Sequence, residues 1–269
     1  MRPKTREGFM LARHLLTTLA LLLSLPLPAA ECRLRMVYPD QEAAPLYLGS
    51  GTTVPEPPGL VVELARSASV AAGCALDLAR FPARRALALV RSGDADLMGL
   101  PLMAGMTGLA LPPDQGEVPG RERGLPMVLR VYVLARQMPP AATPNSEFIR
   151  GKRLGIAMGT YGDIWLGEER LEAESVPGID QNLAKLRNGR LDAFIANPLL
   201  MEAALARPEN AEVVALPEVL AHFHANFVFS TRFAHAHPEQ VTRFWDWVDR
   251  NARAEFARLR AARYQAAGR

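Results

Sequence analysis

Two stretches of the sequence, ALALVRSGDADLMGLPL (residues 86–102) and NLAKLRNGRLDAFIANPLL (residues 182–200), have the same order of features. In each, apolar residues at helical spacing lead to an arginine, a glycine and then an aspartate: Gly93 and Asp96 in the first, Gly189 and Asp192 in the second. Glycine readily adopts the left-handed conformation at a helix end. The apolar run after each aspartate is typical of a strand buried on both faces of a parallel sheet. The two stretches therefore predict two αβ lobes built alike.

The first thirty residues are predicted to be a secretory signal peptide. A basic leader, MRPKTREGFMLARH, precedes an apolar run of 13 residues, LLTTLALLLSLPL, and small residues follow up to Ala30. Such an apolar run is too short to span a bilayer comfortably. We expect cleavage after Ala30 and a periplasmic location for the mature chain.

Removal of the leader makes the chain nearly neutral. The full sequence has 31 Lys and Arg against 28 Asp and Glu, and four basic residues and one acidic residue lie in the leader, which leaves 27 of each. No nucleic-acid partner and no anionic membrane surface are therefore expected. The mature chain is long enough for a large core in one domain or two lobes.

The two cysteines, Cys32 and Cys74, each precede an alternating apolar run, RLRMVY or ALDLARF. In an exported protein, two cysteines at the starts of neighbouring strands are expected to form a disulfide. Such a bridge would stabilise the fold by about 3–4 kcal/mol on the chain-entropy account. Two buried free thiols are the alternative.

Strands and helices alternate between residues 33 and 103, which predicts parallel strands joined by right-handed crossovers. A Pro- and Ala-rich stretch at 138–147 breaks this pattern, a second αβ series begins at residue 151, and the strand HANFVFST (224–231) returns from it. We therefore predict an α/β protein of two lobes, each a mainly parallel sheet flanked by helices, with two strands as the hinge. The predicted bounds are 31–137 together with 226–269 for lobe 1, and 138–225 for lobe 2.

The order and spacing of several segments resemble the family 3 periplasmic solute-binding proteins, which feed polar amino-acid ABC importers. These segments cover nearly the whole mature chain: LRMVYPDQEAAPL, PGLVVELARSASVAAG, FPARRALALVRSGDADLM, GKRLGIAMGTYG, KLRNGRLDAFIAN and FVFSTRFAHAHPEQVTRFWDWV. The resemblance implies the two-lobe type II periplasmic-binding-protein-like fold and closure of the lobes on a small solute. It also implies a monomer without a cofactor, with the membrane permease of an ABC importer as partner.

Two positions depart from the pattern that the resemblance implies. Family members place an arginine, which clamps an amino-acid carboxylate, where this chain reads MAGMTGLALPPDQ (103–115); here only Arg121 or Arg123 of the next loop could replace it. They also carry an aspartate for the ligand ammonium where this chain has Asn197. A neutral amide cannot form the charge-assisted hydrogen bond of a carboxylate, which is roughly twice as strong. These departures argue against an ordinary free α-amino acid as the ligand.

Solutes bind open α/β sheets beyond the carboxyl ends of the strands. This rule selects the candidate ligand-binding residues: Tyr38, Asp40, Arg84, Leu100, Pro101, Thr160, Tyr161 and Asn197.

Alternatives remain for several residues in and around this set. The backbone N–H groups that follow Gly159 begin a helix and can hold an anion, or Asp163 satisfies those donors itself. Tyr47 stacks on a flat ligand or packs within its own loop. Arg84 and Arg85 reach the cleft or form a solvated helix start.

Neither metal binding nor catalysis is expected. Two His-x-His pairs, His222 with His224 and His235 with His237, have no third ligand placed nearby, and a bound metal needs three or four. The sequence lacks a Gly-x-Ser-x-Gly elbow, a His-Glu-x-x-His motif and a phosphate loop.

The sequence therefore predicts a secreted protein that closes on a small polar or anionic solute and delivers it to an ABC-type importer. The alternative is an accessory or sensory periplasmic protein of the same fold, which would serve an enzyme or receptor without a transporter.

Overall fold

In the part of the chain that the structure describes, ten strands form one hydrogen-bonded sheet, in which two long strands are shared by two groups of shorter ones. The computed structural model describes residues 32–101, 106–113, 124–158, 160, 162, 166 and 169–264. The predicted signal peptide lies outside these residues. From Arg33 onward the chain forms one compact unit.

The strands of the described residues are β1 (Cys32–Pro39), β2 (Cys74–Phe81), β3 (Leu97–Pro101), β4 (Leu109–Ala110), β5 (Leu125–Leu134), β6 (Leu154–Ala157), β7 (Ala173–Val176), β8 (Ala193–Ala196), β9 (Val213–Ala215) and β10 (Ala221–Ser230). The helices are α1 (Leu60–Ala72), α2 (Ala83–Ser92), α3 (Asn145–Phe148), α4 (Ile179–Arg187), α5 (Pro198–Leu205), α6 (Thr231–Ala236) and α7 (Pro238–Arg263). Two 3-10 turns occupy Ala135–Gln137 and Pro208–Asn210. No helix within these ranges is long and apolar enough to cross a membrane.

The first group of strands has the order β2-β1-β3-β10, with β1 and β3 parallel and β10 antiparallel to β3. Gly73 and Gly93 end α1 and α2 in the left-handed conformation, as predicted, with φ of 76° and 80°. The long helix α7 packs on this group, where the Trp245 indole N–H donates to Phe227 O.

The second group has the order β8-β6-β7, and all three strands are parallel. The α/β class with mainly parallel strands flanked by helices is therefore confirmed. Neighbouring parallel strands place their carboxyl ends at one edge of the sheet, which is the edge where the sequence puts the candidate residues.

The strands β5 and β10 connect the two groups. Residues 125–129 of β5 pair with β10, and residues 130–132 pair with β8. In β10, residues 221–225 pair with β5 and residues 225–229 pair with β3. The chain therefore crosses between the groups twice, through ten-residue strands. The lobe bounds at residues 137 and 225 remain a prediction.

The aspartate of each repeated stretch binds the start of the neighbouring parallel strand. The guanidinium of Arg35 donates to both carboxylate oxygens of Asp96 at 2.9 Å, and the Arg35 backbone N–H donates to the same carboxylate. Arg153 makes the same three contacts with Asp192. The repeat in the sequence therefore corresponds to a repeated contact in the fold.

The two cysteines form the predicted disulfide, since neither Cys32 nor Cys74 is free. The alternative of two free thiols is excluded.

Several predicted elements differ in type or extent. The apolar run LPMVLRVYVLARQ predicts a strand over 125–137, but the strand ends at Leu134, and α3 begins inside the predicted linker 138–147. The stretch DIWLGEERLEAE predicts a helix over 163–174. Five of these residues lie outside the described ones, whereas residues 169–172 form a turn and loop and the last two residues begin β7. That strand pairs with β6 from Ala173 onward, and Glu174 points to solvent. The sequence of such a short polar strand carries little β signal, so its conformation is determined by pairing with a buried neighbouring strand.

Candidate ligand-binding site

The structure brings the candidate residues together in two sets at strand ends. Tyr38, Asp40, Leu100 and Pro101 lie at the carboxyl ends of the neighbouring strands β1 and β3, and Arg84 lies in the first turn of α2, beyond β2. Thr160 and Asn197 follow β6 and β8, which are also neighbours. Each set belongs to one of the two strand groups.

Tyr38 is packed rather than open to a ligand. Its side chain is fully buried, stacks on Tyr47 with ring centroids 5.6 Å apart, and lies 5.2 Å from the guanidinium of Arg80. Burial raises the pKa of Tyr38. Within the described residues the Tyr38 hydroxyl has no hydrogen-bond partner. Tyr38 therefore brings an unused hydroxyl group to the edge of the sheet.

Tyr47 packs within its own loop, which is one of the two interpretations of the sequence; the other is stacking on a flat ligand. Its hydroxyl donates to Gly99 O on β3 at 3.1 Å, and burial raises its pKa well above the ordinary value. Gly99 has no room for a side chain here, because an added Cβ would lie 2.6 Å from Cγ1 of Val61 and 3.3 Å from the Tyr47 hydroxyl. The loop therefore closes over the end of β3 on this face.

A buried arginine anchors the loop between β1 and α1. Arg80 is 2 % exposed, and its guanidinium donates to the carbonyl oxygens of Pro39 at 3.2 Å, Thr53 at 3.2 Å and Gly49 at 2.6 Å. Planar guanidinium groups suit such multiple donation. Further along this loop, Leu46 packs against the core of the second strand group. The loop therefore contacts both strand groups.

The remaining candidates of the first set differ in exposure. Asp40 is partly exposed, and its backbone N–H and C=O are bound to Phe81 O and Gly51 N. Arg84 and Arg85 are both exposed at the start of α2, and the Arg85 guanidinium lies over the Phe81 ring at 5.0 Å. Arg85 thus has a contact within the first strand group, and both arginines form a solvated helix start.

The apolar candidates of the first set lie at the end of β3. Leu100 is half-buried and packs against the core beneath α2, and Pro101 is half-buried.

In the second set, Thr160 and Asn197 are used by the fold. The Thr160 hydroxyl donates to Ala157 O at 2.6 Å. The Asn197 side-chain oxygen caps α5 by accepting the Leu199 backbone N–H at 2.8 Å, and its NH₂ group donates to the sulfur of Met127 at 3.4 Å. Sulfur is a weak hydrogen-bond acceptor, so the NH₂ group of Asn197 forms only a weak hydrogen bond.

Some candidates lie outside the described residues. They are Gly159, Tyr161 and Asp163, on which the predicted anion site depends, and Arg121 and Arg123, the possible replacements for the clamp arginine. In the described part of the chain, no group of three His, Cys, Asp or Glu side chains is placed to hold a metal ion.

Two polar residues at this edge, Arg80 and Asn226, were not among the predicted site residues. Arg80 falls on the same alternating positions of β2 as Leu76 and Leu78. An arginine on this apolar face could have indicated a buried charged residue with a specific role. Asn226 stands in an otherwise apolar run, HANFVFS, and is 3 % exposed. Nothing in the sequence indicated that Met127 would contact Asn197.

The strand order, the helices and the two crossings define the class: the chain has the fold of the family 3 solute-binding proteins. It is similar to the GluR0 ligand-binding core from Nostoc punctiforme in complex with L-glutamate, with a TM-score of 0.60 and 13% identity over 87% of this chain and 99% of that one. It is also similar to a histidine kinase sensor domain with similarity to periplasmic binding proteins, with a TM-score of 0.63 and 14% identity over 87% and 96%. Holo ArgBP from T. maritima gives a TM-score of 0.56 and 15% identity over 80% and 90%. No model of a known protein family matches the sequence, and no curated protein matches it.

Proposed function

We propose that the protein is an extracytoplasmic binding protein that closes on a small polar or anionic solute and delivers it to an ABC-type importer in the membrane. The observation that carries this proposal is the double crossing of β5 and β10 between two strand groups, at whose edges the candidate residues gather. A solute that bridges the two sets binds the closed form better and so shifts the population towards it.

The polar groups of the site support a solute other than a free α-amino acid. Asn197 is neutral, caps α5 and contacts the Met127 sulfur, so it presents no negative charge to a ligand ammonium. The charged candidates of known placement are Asp40 and Arg84. Tyr161, with Arg121 or Arg123, is proposed to complete the site.

A sensory or accessory role is the second candidate function. The similarity to a histidine kinase sensor domain with similarity to periplasmic binding proteins favours it, since that structure is described as a sensor domain. Genes for a permease and an ATPase beside this one would support import, and their absence would support the sensory role. The signal peptide, the periplasmic location, the monomeric state and the lack of catalytic activity are part of the same proposal.

A thermal-shift screen of the mature protein against amino acids, organic acids, amines and sugars tests the proposal. A solute at 100 times its dissociation constant stabilises a protein by about 2.7 kcal/mol. For a chain of this size that corresponds to a rise in melting temperature of roughly 5–10 °C. A screen in which no compound raises the melting temperature would contradict a binding function.

A further inference from the structure

Asn226 lies at the point where β10 changes its partner strand. The preceding residue, Ala225, pairs with Pro101 of β3 and also with Leu125 of β5, and Asn226 itself pairs with Leu100. Leu100 and Pro101 are candidate ligand-binding residues at the carboxyl end of β3. Asn226 therefore lies both at the crossing between the strand groups and at the edge where solutes bind.

The Asn226 side chain is held with its NH₂ group unused. Its Oδ1 accepts the backbone N–H of Phe227 at 2.7 Å, which decides the orientation of the amide. Throughout the described ranges, its Nδ2 has no hydrogen-bond partner, although the residue is buried. An unpaired buried donor is destabilising, and native proteins rarely leave one without a partner.

Gly124 keeps the backbone close to this amide. It has a φ of +102°, and an added Cβ would lie 2.4 Å from Ala225 O and 3.0 Å from Asn226 Nδ2. Only glycine adopts this conformation without strain and leaves the space beside Nδ2 free.

The other unused hydroxyl at this edge belongs to Tyr38, which is buried and has no partner in the part of the chain that the structure describes. Tyr38 is two residues beyond Met36, which pairs with Leu97, so it lies level with Gly99 and Phe227, whereas Asn226 lies level with Leu100. Successive residues of a strand face opposite sides of a sheet, so Tyr38 and Asn226 lie on opposite faces. The Asn226 amide is therefore the donor of this pair that the inference uses.

We propose that the Asn226 NH₂ group donates a hydrogen bond to a carboxylate or carbonyl oxygen of the bound solute. This inference rests on the proposed binding function and narrows its ligand class to solutes that present an oxygen acceptor to the crossing strand. A solute whose polar groups are only amines cannot satisfy the Asn226 NH₂ group by accepting.

A different buried asparagine provides the matched control. Asn182 is fully buried, and its NH₂ group donates to Ile156 O at 3.2 Å and to Gly178 O at 2.9 Å. Its amide donors are therefore used by the fold of the second strand group. Loss of the Asn182 amide should lower the melting temperature without a specific effect on affinity.

The test compares the wild-type protein, Asn226→Asp and Asn182→Leu by calorimetric titration. Asn226→Asp keeps an oxygen for the Phe227 N–H and replaces the donor by an acceptor. The probes are acetate, succinate and glutarate, which have acceptor oxygens, and butylamine, putrescine and agmatine, which have none, together with every compound that stabilises the wild-type protein in the screen. If Asn226→Asp does not fold, Asn226→Leu, which has a similar volume and no charge, takes its place.

We expect the wild-type protein to bind compounds with acceptor oxygens and not the amines. Asn226→Asp should weaken that binding by about 10- to 100-fold, the range for a lost hydrogen bond to a charged group, and Asn182→Leu should leave the affinity unchanged. Unchanged affinity in the Asn226 variant, or binding of the amines, overturns this inference and leaves the binding function standing. If no compound binds the wild-type protein, the proposed function fails and this inference fails with it.

Discussion

Arg80 shows how a single residue can organise the edge of a binding site without touching a ligand. Its guanidinium holds three carbonyl oxygens of one loop segment and lies over the ring of Tyr38. Lysine keeps the charge but lacks the planar fork, so Arg80→Lys leaves buried carbonyl groups without a donor. We expect the free energy of unfolding in urea to fall by about 2–4 kcal/mol.

The matched control for this prediction is Arg33→Lys. Arg33 pairs with Asp77 at 3.3 Å, and both side chains are more than half exposed. Exposed pairs contribute about 0–1 kcal/mol. Equal losses of stability in the two variants would contradict the role assigned to Arg80.

The role of Asn197 as a helix cap can be separated by substitution from a role in binding a solute. Asp caps a helix as well as Asn does, whereas Ala does not cap, so Asn197→Ala should cost about 1 kcal/mol of unfolding free energy and Asn197→Asp close to none. The new carboxylate beside the Met127 sulfur should weaken the binding of an anionic solute if Asn197 contacts it. Denaturant unfolding and titration of both variants measure the two effects. An Asp variant that binds anions like the wild-type protein would leave Asn197 as a cap alone.

At the residue scale, the sequence indicated where the site residues lie better than which residues they contact. It placed Tyr38, Leu100 and Asn197 at strand ends, because the strand ends could be read from the apolar runs. It could not tell that Tyr47 bonds Gly99 or that Asn197 bonds Met127, since such contacts depend on how a loop or strand from elsewhere packs. The polar residues inside apolar strands, Arg80 and Asn226, were visible in the sequence and could have indicated polar groups at this edge of the sheet.

At the scale of elements, the helix-Gly-Asp-strand repeat explains why the two groups share a local plan. Asp96 and Asp192 each bind an arginine of the parallel strand beside their own strand. The two pairs differ in exposure, since the side chain of Asp96 is 6% exposed and that of Asp192 is 25% exposed. We expect Asp96→Asn to cost about 1–3 kcal/mol and Asp192→Asn about 0.5–1 kcal/mol. Urea unfolding of both variants measures the difference, and an equal cost would contradict this interpretation.

The Asp192 pair also predicts a pH dependence. Its hydrogen bond with Arg153 lowers the pKa of Asp192 below the ordinary value of 3.8. A lowered pKa in the folded state gives stability that is present above pH 3.8 and is lost as the pH falls through the folded pKa. The stability difference between the wild-type protein and Asp192→Asn should therefore shrink below pH 3.8. Unfolding curves across this range measure it, and a constant difference would contradict the role of the charge.

The elements that the sequence predicted well are those with long apolar periodicity. The apolar patterns predict helices over residues 60–73, 82–93 and 238–265, close to the observed α1, α2 and α7, because one apolar face determines each of them. The strand β7 and the four-residue helix α3 carry no such periodicity. Their conformation follows from neighbours that are distant in sequence, so no local pattern could have indicated them.

At the scale of the whole molecule, burial of the tyrosines predicts a loss of stability in alkali. Burial raises the pKa of Tyr132 and Tyr264 to about 12, and it raises the pKa of Tyr38 and Tyr47 as well. The stability from keeping these hydroxyl groups neutral is present below pH 10 and is lost as the pH rises through the folded pKa values.

The tyrosinate absorbance should therefore appear above pH 10 in the native protein, together with unfolding, and near pH 10 in denaturant. Tyr264→Phe should make the loss of stability in alkali less steep, even though it removes the hydrogen bond with the Gly59 N–H. Tyrosinate absorbance near pH 10 from more than one of the five tyrosines in the native state would contradict the burial of these rings.

The final prediction concerns the relation between the two strand groups. Because β5 and β10 cross from one strand pairing to the other, a bridging solute should draw the groups together by bending near Ala225 and Arg130, where the pairing changes. Solution scattering should then show a smaller radius of gyration in the presence of a saturating solute from the screen. Asn226→Asp at the same solute concentration should show a smaller decrease in the radius, because the variant binds the solute more weakly. A radius that stays constant while the solute raises the melting temperature would show that binding occurs without closure. A transporter that recognises the closed form could then not distinguish the solute-bound protein from the free protein.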